Sequence, residues 1–265
     1  MRTYRLVAAG LLTGLALALQ LASGAVGIQT GWGMTIDLVA VPILIALFVL
    51  GYGTALETLL ATGIGIALLA PTGYIGAVMK FSATLPMLAV PAAYLIAKRR
   101  KLEPPRLLAL MAILLAACVL VFALIAYLAF YSGEAFGNSL FTGIAPLFGL
   151  AAFSYLLLVL WREYGSEQEL RGVFSWKEAL ALFAFAAALR GLLMIVANFY
   201  FAGPLFYRMT PAALAGFIAG VPVPFFGASA WYASIFLWNV VQAAAEFWIA
   251  WLVAFRFGFA KRYGG

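Results

Sequence analysis

Residues 107–131 read LLALMAILLAACVLVFALIAYLAFY, a run of 25 with no charge, amide, glycine or proline. Its only polar side chains are Cys118, Tyr127 and Tyr131. A helix of that length rises about 37 Å, enough to cross a hydrocarbon core of about 30 Å. The apolar residues run without a break, whereas a strand of a transmembrane barrel alternates apolar and polar positions. The stretch reads as a membrane-spanning helix. Working outward from it gives eight candidate spans, at about 5–24, 36–51, 53–71, 75–97, 106–131, 140–161, 175–201 and 231–255. The expected fold is an all-α polytopic membrane protein, with residues 1–265 forming one integral membrane domain.

Composition agrees. The chain has 265 residues, 66% hydrophobic and 9% charged, and its mean hydropathy is +1.08. A soluble domain is about half apolar and about a quarter charged. So few charges cannot cover a water-soluble globule, which excludes a soluble enzyme, a nucleic-acid-binding domain and a disordered chain. There is no histidine, hence no histidine triad, histidine-held metal or histidine proton relay. Cys118 is the only cysteine, so neither a disulfide framework nor a thiolate metal cluster is expected. No G-x-x-x-x-G-K-[ST] phosphate loop is present, so the chain does not hydrolyse ATP by that device. No cofactor or metal is expected, and no convergent nucleophile and base suggest an enzyme.

The net charge of +7 reads as topology rather than as affinity for nucleic acid. With the N-terminus inside, 13 of the 16 Lys and Arg fall on inner segments, mainly around Arg2, Lys98–Lys101, Arg162 and Lys261. Only Arg208 falls outside, and Lys80 and Arg190 lie within spans. The expectation is a multi-pass protein of the plasma membrane with both termini cytoplasmic. The first segment has signal-peptide features, with Arg2 and Arg5 before an apolar run and Leu21-Ala22-Ser23 as a tolerable cleavage site. It also carries a small residue at every fourth position: Gly10, Gly14, Ala18 and Ala22. That stripe favours a retained span with a helix-packing face. Two outer connections, 25–35 and 203–230, are rich in glycine, proline and aromatics and are expected to fold back over the outer face.

Polar side chains inside spans mark partners or cavities. Gln20, Asp37, Lys80, Asn198, Asn239 and Gln242 come from five spans and fall at one depth in the outer half. Asn239, Gln242 and Glu246 are spaced i, i+3, i+7 on one helix face. A cavity open to the outside accounts for all of them. Individually, each amide also serves as interhelical glue. Asp37 also suits a helix N-terminus, and Lys80 also suits snorkelling to the interface. Arg190 and Glu246 lie deeper, at matching depth, and are expected to form a structural ion pair. Glu57 lies near the inner end of the third span, where it reaches headgroups or a partner.

Four stretches, in order, resemble the riboflavin-type substrate-binding (S) components of energy-coupling factor transporters. Asp37-Leu38-Val39-Ala40-Val41-Pro42 followed by Gly51-Tyr52-Gly53 is similar to that family's D-x-x-x-x-P and glycine turn. Gly76-Ala77-Val78-Met79-Lys80-Phe81 resembles its G-x-x-x-N-F. Ala197-Asn198-Phe199-Tyr200 with Gly203-Pro204-Leu205-Phe206-Tyr207 is similar to its N-Y-x-x-x-P-x-F/Y. Leu237-Trp238-Asn239-Val240-Val241-Gln242 is similar to its F-N-x-x-K. The resemblance implies a six-helix vitamin-binding core over 1–100 and 173–265, with an inserted helix pair at about 104–165. It implies a transmembrane coupling subunit and two ATPase subunits as partners, with Gly10, Gly14, Ala18 and Ala22 facing the coupling subunit. It implies flavin contacts from Asn198, Asn239 and Gln242. Gln242 stands where the family often has Lys, and Lys80 where it often has Asn, so the positive charge is moved. The expected site is Lys80, Asn198, Asn239, Gln242, Asp37 and Gln20, with Trp32, Tyr200, Phe199 or Trp238 against the ring of riboflavin or another vitamin. An autonomous ion-coupled transporter using Arg190, Glu246 and Glu57 is the alternative from another class.

Overall fold

The structure, a computed structural model, describes residues 2–99, 176–219, 221–223, 227–228 and 231–257. The stretch 107–131, Cys118, the spans expected at 106–131 and 140–161, and the inserted pair at about 104–165 lie outside the described residues. The described chain is helical, with two short strand pairs. α1 is Arg2–Val26, α2 Ala40–Leu50, α3 Tyr52–Leu69, α4 Gly73–Arg99 and α5 Trp176–Ala197. A π-helical turn, Asn198–Ala202, leads into the short α6 (Gly203–Tyr207) and α7 (Pro211–Ala219). α8 is Trp231–Trp251, ending in a second π turn, Leu252–Arg256.

Among the described residues, five helical segments are long and apolar enough to cross a membrane: Thr3–Ala25, Tyr52–Leu69, Gly73–Ala92, Lys177–Ala197 and Trp231–Arg256. They fit the all-α membrane class read from composition. Their outer surfaces are apolar, with Leu11, Ile64, Leu68, Leu192 and Trp248 among the exposed large side chains. Such faces suit lipid rather than water.

The expected span 36–51 is corrected. Residues Thr35–Ile36 are extended and the helix begins only at Ala40. Its 11 residues rise about 16 Å, roughly half a hydrocarbon core. Pro42 marks the first turn of α2, where its missing N–H has no intrahelical partner to lose. Just before α2, Asp37 and Val39 are buried at 5% and 2% exposure, while Leu38 between them is exposed. Their backbone is satisfied locally. Val39 N donates to Asp37 Oδ1 at 3.2 Å, and Asp37 O accepts from Gln242 Nε2 at 3.3 Å. Irregular backbone among apolar helices survives only with such partners.

α2 sits in the middle, with nine of its 11 residues buried. α1 packs on α2 and α3, α3 on α4, α4 on α5, α5 on α8, and α8 returns to α2. The largest cluster joins Leu44, Leu47 and Phe48 of α2 to Leu85 and Leu88 of α4, Ala186 of α5 and Phe247 of α8. Phe183 of α5 stacks on Phe247 with centroids 4.5 Å apart. α5 and α8 approach closely where Gly191 leaves room for Phe236.

The stripe on α1 faces away from the other described helices. Gly10, Gly14, Ala18 and Ala22 are all exposed, and a Cβ on Gly10 or Gly14 would meet nothing within 4 Å. The internal packing face is instead Ala9, Ala16 and Ser23, two heptads apart end to end. Ala16 packs with Val39, Ile66 of α3 and Ala77 of α4. Small residues therefore occur on both faces of α1.

The two glycine positions separate in a stability test. A Cβ on Gly191 would lie 2.5 Å from the Phe236 ring, so Gly191→Leu forces α5 from α8 at a cost of about 1–3 kcal/mol. Gly14→Leu meets no neighbour. Thermal unfolding of the detergent-purified protein is expected to fall in the first variant and hold in the second. Equal falls would contradict this arrangement.

Candidate functional site

A chain of polar contacts crosses the bundle between α4 and α8. Lys80 of α4 forms an ion pair with Asp37. The Gln242 amide of α8 donates to Asp37 O at 3.3 Å and to Glu246 Oε1 at 2.9 Å. Glu246 forms an ion pair with Arg190 of α5. Arg190 Nε donates to Asn239 Oδ1 at 3.5 Å, and Asn239 Nδ2 donates to Ile235 O at 2.8 Å. Asn239, Gln242 and Glu246 are essentially fully buried, as is Arg190 at 2% exposure. The i, i+3, i+7 spacing on α8 puts the three on its inner face, as their sequence positions require.

The electrostatics balance pair by pair. Each cation faces one carboxylate, so the group carries two positive and two negative charges. An unpaired charge in such surroundings costs several kcal/mol. The pairs differ in solvation. Both partners of Arg190–Glu246 are 2% exposed at the side chain, whereas Lys80 is 23% exposed beside Asp37 at 3%.

Above this floor lies a cavity of about 320 Å³. That is at the lower end of the range of about 300–1,000 Å³ usual for small-molecule sites. It is lined by Gln20, Trp32, Asp37, Lys80, Asn198, Asn239 and Gln242, which the sequence had placed at one depth or beside the ring. Arg190 lines it too, so the ion pair expected to be purely structural borders the cavity. Asn198 stands at the start of the π turn, where its Nδ2 donates to Met194 O at 2.8 Å. π turns interrupt a helix at positions that often serve a site.

Several aromatic expectations are corrected. Phe199 stacks on Trp231 with centroids 4.2 Å apart and does not line the cavity. Trp238 packs with Ile36 and Leu237 instead. The Tyr200 side chain lies outside the described residues. Phe206, Tyr207, Met34, Met79 and Met194 line the cavity and were not expected. Methionines carry no polar signature, and their flexible thioethers conform to irregular shapes. Glu57 is exposed on α3 and takes no part.

Described residues of the two connections expected to lie outside, 25–35 and 203–230, meet over the cavity. Residues Ile28–Gln29 (β1) and Thr35–Ile36 (β2) pair antiparallel as a hairpin. Its turn holds Gly33 at φ 93°, a conformation that favours glycine. A Cβ there would meet the Tyr207 hydroxyl at 2.0 Å. Tyr207 donates its hydroxyl to Trp32 O, linking the hairpin to α6. Burial raises the Tyr207 pKa above its ordinary value, so the phenol stays protonated and donating at neutral pH. Gly31 lies against Val221 just before β3 (Pro222–Val223), which pairs with β4 (Gly227–Ala228).

Removing one member of the deeper pair is expected to be severe. Arg190→Met or Glu246→Leu alone should cost about 3–5 kcal/mol, and the double variant should recover much of the loss. Lys80→Met should also destabilise, because it leaves Asp37, at 3% side-chain exposure, without its cation. Chemical unfolding in detergent micelles of the four variants measures this, and an additive double variant would contradict the pairing. Among known proteins, no family model, curated sequence or solved structure matches this chain.

Proposed function

We propose that the chain is the membrane-embedded capture subunit of an energy-coupling factor transporter, binding riboflavin or a related flavin from outside. In this proposal the chain supplies affinity, and a coupling subunit with two ATPase subunits supplies energy for uptake. The observation that carries it is convergence: seven side chains chosen for polarity, depth or an aromatic face line one cavity. The cavity lies beneath two connections expected to be outside by the distribution of Lys and Arg. Its methionines and Trp32 suit a flat heterocycle, which gains from stacking and soft contact. The exposed stripe Gly10, Gly14, Ala18, Ala22 offers a close-approach surface for a helical partner. Eight spans in the plasma membrane, a six-helix core with an inserted pair, and cytoplasmic termini complete the proposal.

A second function is favoured by one observation, two ion pairs, Lys80–Asp37 and Arg190–Glu246, joined through the Gln242 amide. Such joined pairs also suit an autonomous ion-coupled transporter. Glu57, the third carboxylate this alternative would use, is exposed and apart from it.

Protein purified from a flavin-containing host is expected to show a flavin absorbance band, or to quench riboflavin fluorescence on titration. Neither signal would sink the flavin assignment. Co-expressed with coupling and ATPase subunits, the chain should support uptake that a Walker-site knockout abolishes. Uptake indifferent to that knockout would favour the ion-coupled transporter. Gly14→Leu with Ala18→Leu should abolish co-purification of the coupling subunit and spare ligand binding. Survival of the complex would remove the stripe from the interface.

A further inference from the structure

The charged groups do not face the cavity equally. Lys80, Asp37 and Arg190 line it, and Glu246 does not. Of the three, Lys80 alone offers much surface, with its side chain 23% exposed against 3% for Asp37 and 2% for Arg190. Asp37 is spent inside the protein. Its Oδ1 accepts from Val39 N at 3.2 Å and from Gln242 Nε2 at 3.5 Å, and its Oδ2 accepts from Lys80. An ammonium carries three N–H donors. Lys80 gives one to Asp37 and has no second acceptor among the described residues. Its charge is compensated, but its remaining N–H groups are not used. Asn198, Asn239 and Gln242, which share the lining, are uncharged. The covering connections, 25–35 and 203–230, contain one charged residue, the exposed Arg208, and no carboxylate.

We infer that Lys80 is a specificity-determining residue: it donates to an uncharged acceptor of the ligand, a carbonyl oxygen or ring nitrogen, and the cavity excludes cationic ligands. This rests on the cavity being the ligand site proposed above. Electrostatics decide among three ligand classes. A cation at the floor meets the Lys80 ammonium, while the one lining carboxylate has both oxygens engaged elsewhere. A buried ion without a counter-charge is strongly disfavoured. An anion gains from Lys80 but sets a second negative charge beside Asp37, and like charges at close range oppose each other. A neutral acceptor leaves the pair intact. It takes charge-assisted hydrogen bonds from the unused N–H groups, and these are stronger than bonds between neutral partners. The amides of the lining add polar contacts without adding charge. Arg208 in the covering connection acts in the same direction, because it repels an approaching cation and not a neutral molecule.

The test titrates the detergent-purified full chain with probes that differ in charge. Nicotinamide is neutral, nicotinate is an anion and 1-methylnicotinamide is a cation, all on one ring. Riboflavin and thiamine supply a neutral and a cationic vitamin. Riboflavin or nicotinamide should bind wild type, and the charged counterparts should bind about tenfold more weakly or not at all. That comparison needs no variant to fold. The variant is Asp37→Asn with Lys80→Met, which removes both charges together, leaves neither unpaired, and keeps an acceptor for Val39 N. Its affinity for the neutral probe should fall about tenfold, with the preference over the cation narrowed. A cation that binds wild type as tightly as its neutral counterpart overturns the inference. So does a folded double variant that binds the neutral probe undiminished, or failure of both neutral probes on wild type. Nicotinate binding more tightly than nicotinamide overturns it in favour of an anionic ligand. The outcomes separate from those of the flavin proposal. Riboflavin failing while nicotinamide shows the expected charge order removes the flavin and keeps the role of Lys80. Riboflavin binding equally to wild type and the double variant keeps the flavin and removes that role.

Discussion

The Gln242 amide joins two ion pairs that lie side by side in an apolar bundle. It donates to Glu246 on one side and to the Asp37 backbone on the other. Neither pair is stable there without matched partners, so the helices carrying them are fixed by electrostatics as well as by packing. α5 must approach α8 closely enough for Arg190 to reach Glu246, and Gly191 one residue later permits it. Asp37 must lie where both Lys80 and Gln242 reach it, so the chain passes Asp37 and Leu38 outside any helix before α2 begins at Ala40. That requirement shortens α2 to 11 residues and leaves it buried at the centre of the bundle.

The cavity is what remains above this floor. The polar groups below it are mutually satisfied. The hairpin and α6 close over it through Tyr207 and Trp32, with Gly33 giving the phenol room. The cavity's walls are largely apolar and its base holds two matched ion pairs.

Much of the fold was legible because membrane physics leaves few options. Continuous apolar runs located α1, α3, α4, α5 and α8 to within a few residues. α2 was misread because apolar residues run straight through 36–51, and hydropathy does not distinguish a buried extended strand from a helix. Pro42 held the signal, since a proline there is cheap only in a first helical turn. Within the site, depth and the i, i+3, i+7 spacing placed Asn239, Gln242 and Glu246 correctly. Pairing was only half legible. Lys80 looked like a charge available to a ligand, yet it is paired with Asp37, 43 positions away in sequence. Such a contact depends on how α2 packs against its neighbours, which no local pattern encodes. Thr72, Phe206, Tyr207 and the methionines were missed because single residues in turns and apolar side chains carry no periodic signal.

The central claim is that the cavity between Trp32 and Lys80 is the ligand site, with the charged floor intact beneath the ligand. A crystal structure of the protein grown with riboflavin in lipid tests it most directly. Riboflavin ring density is expected against Trp32 and the methionines, with both ion pairs preserved. Ligand bound elsewhere, or bound by displacing Asp37 from Lys80, would contradict it.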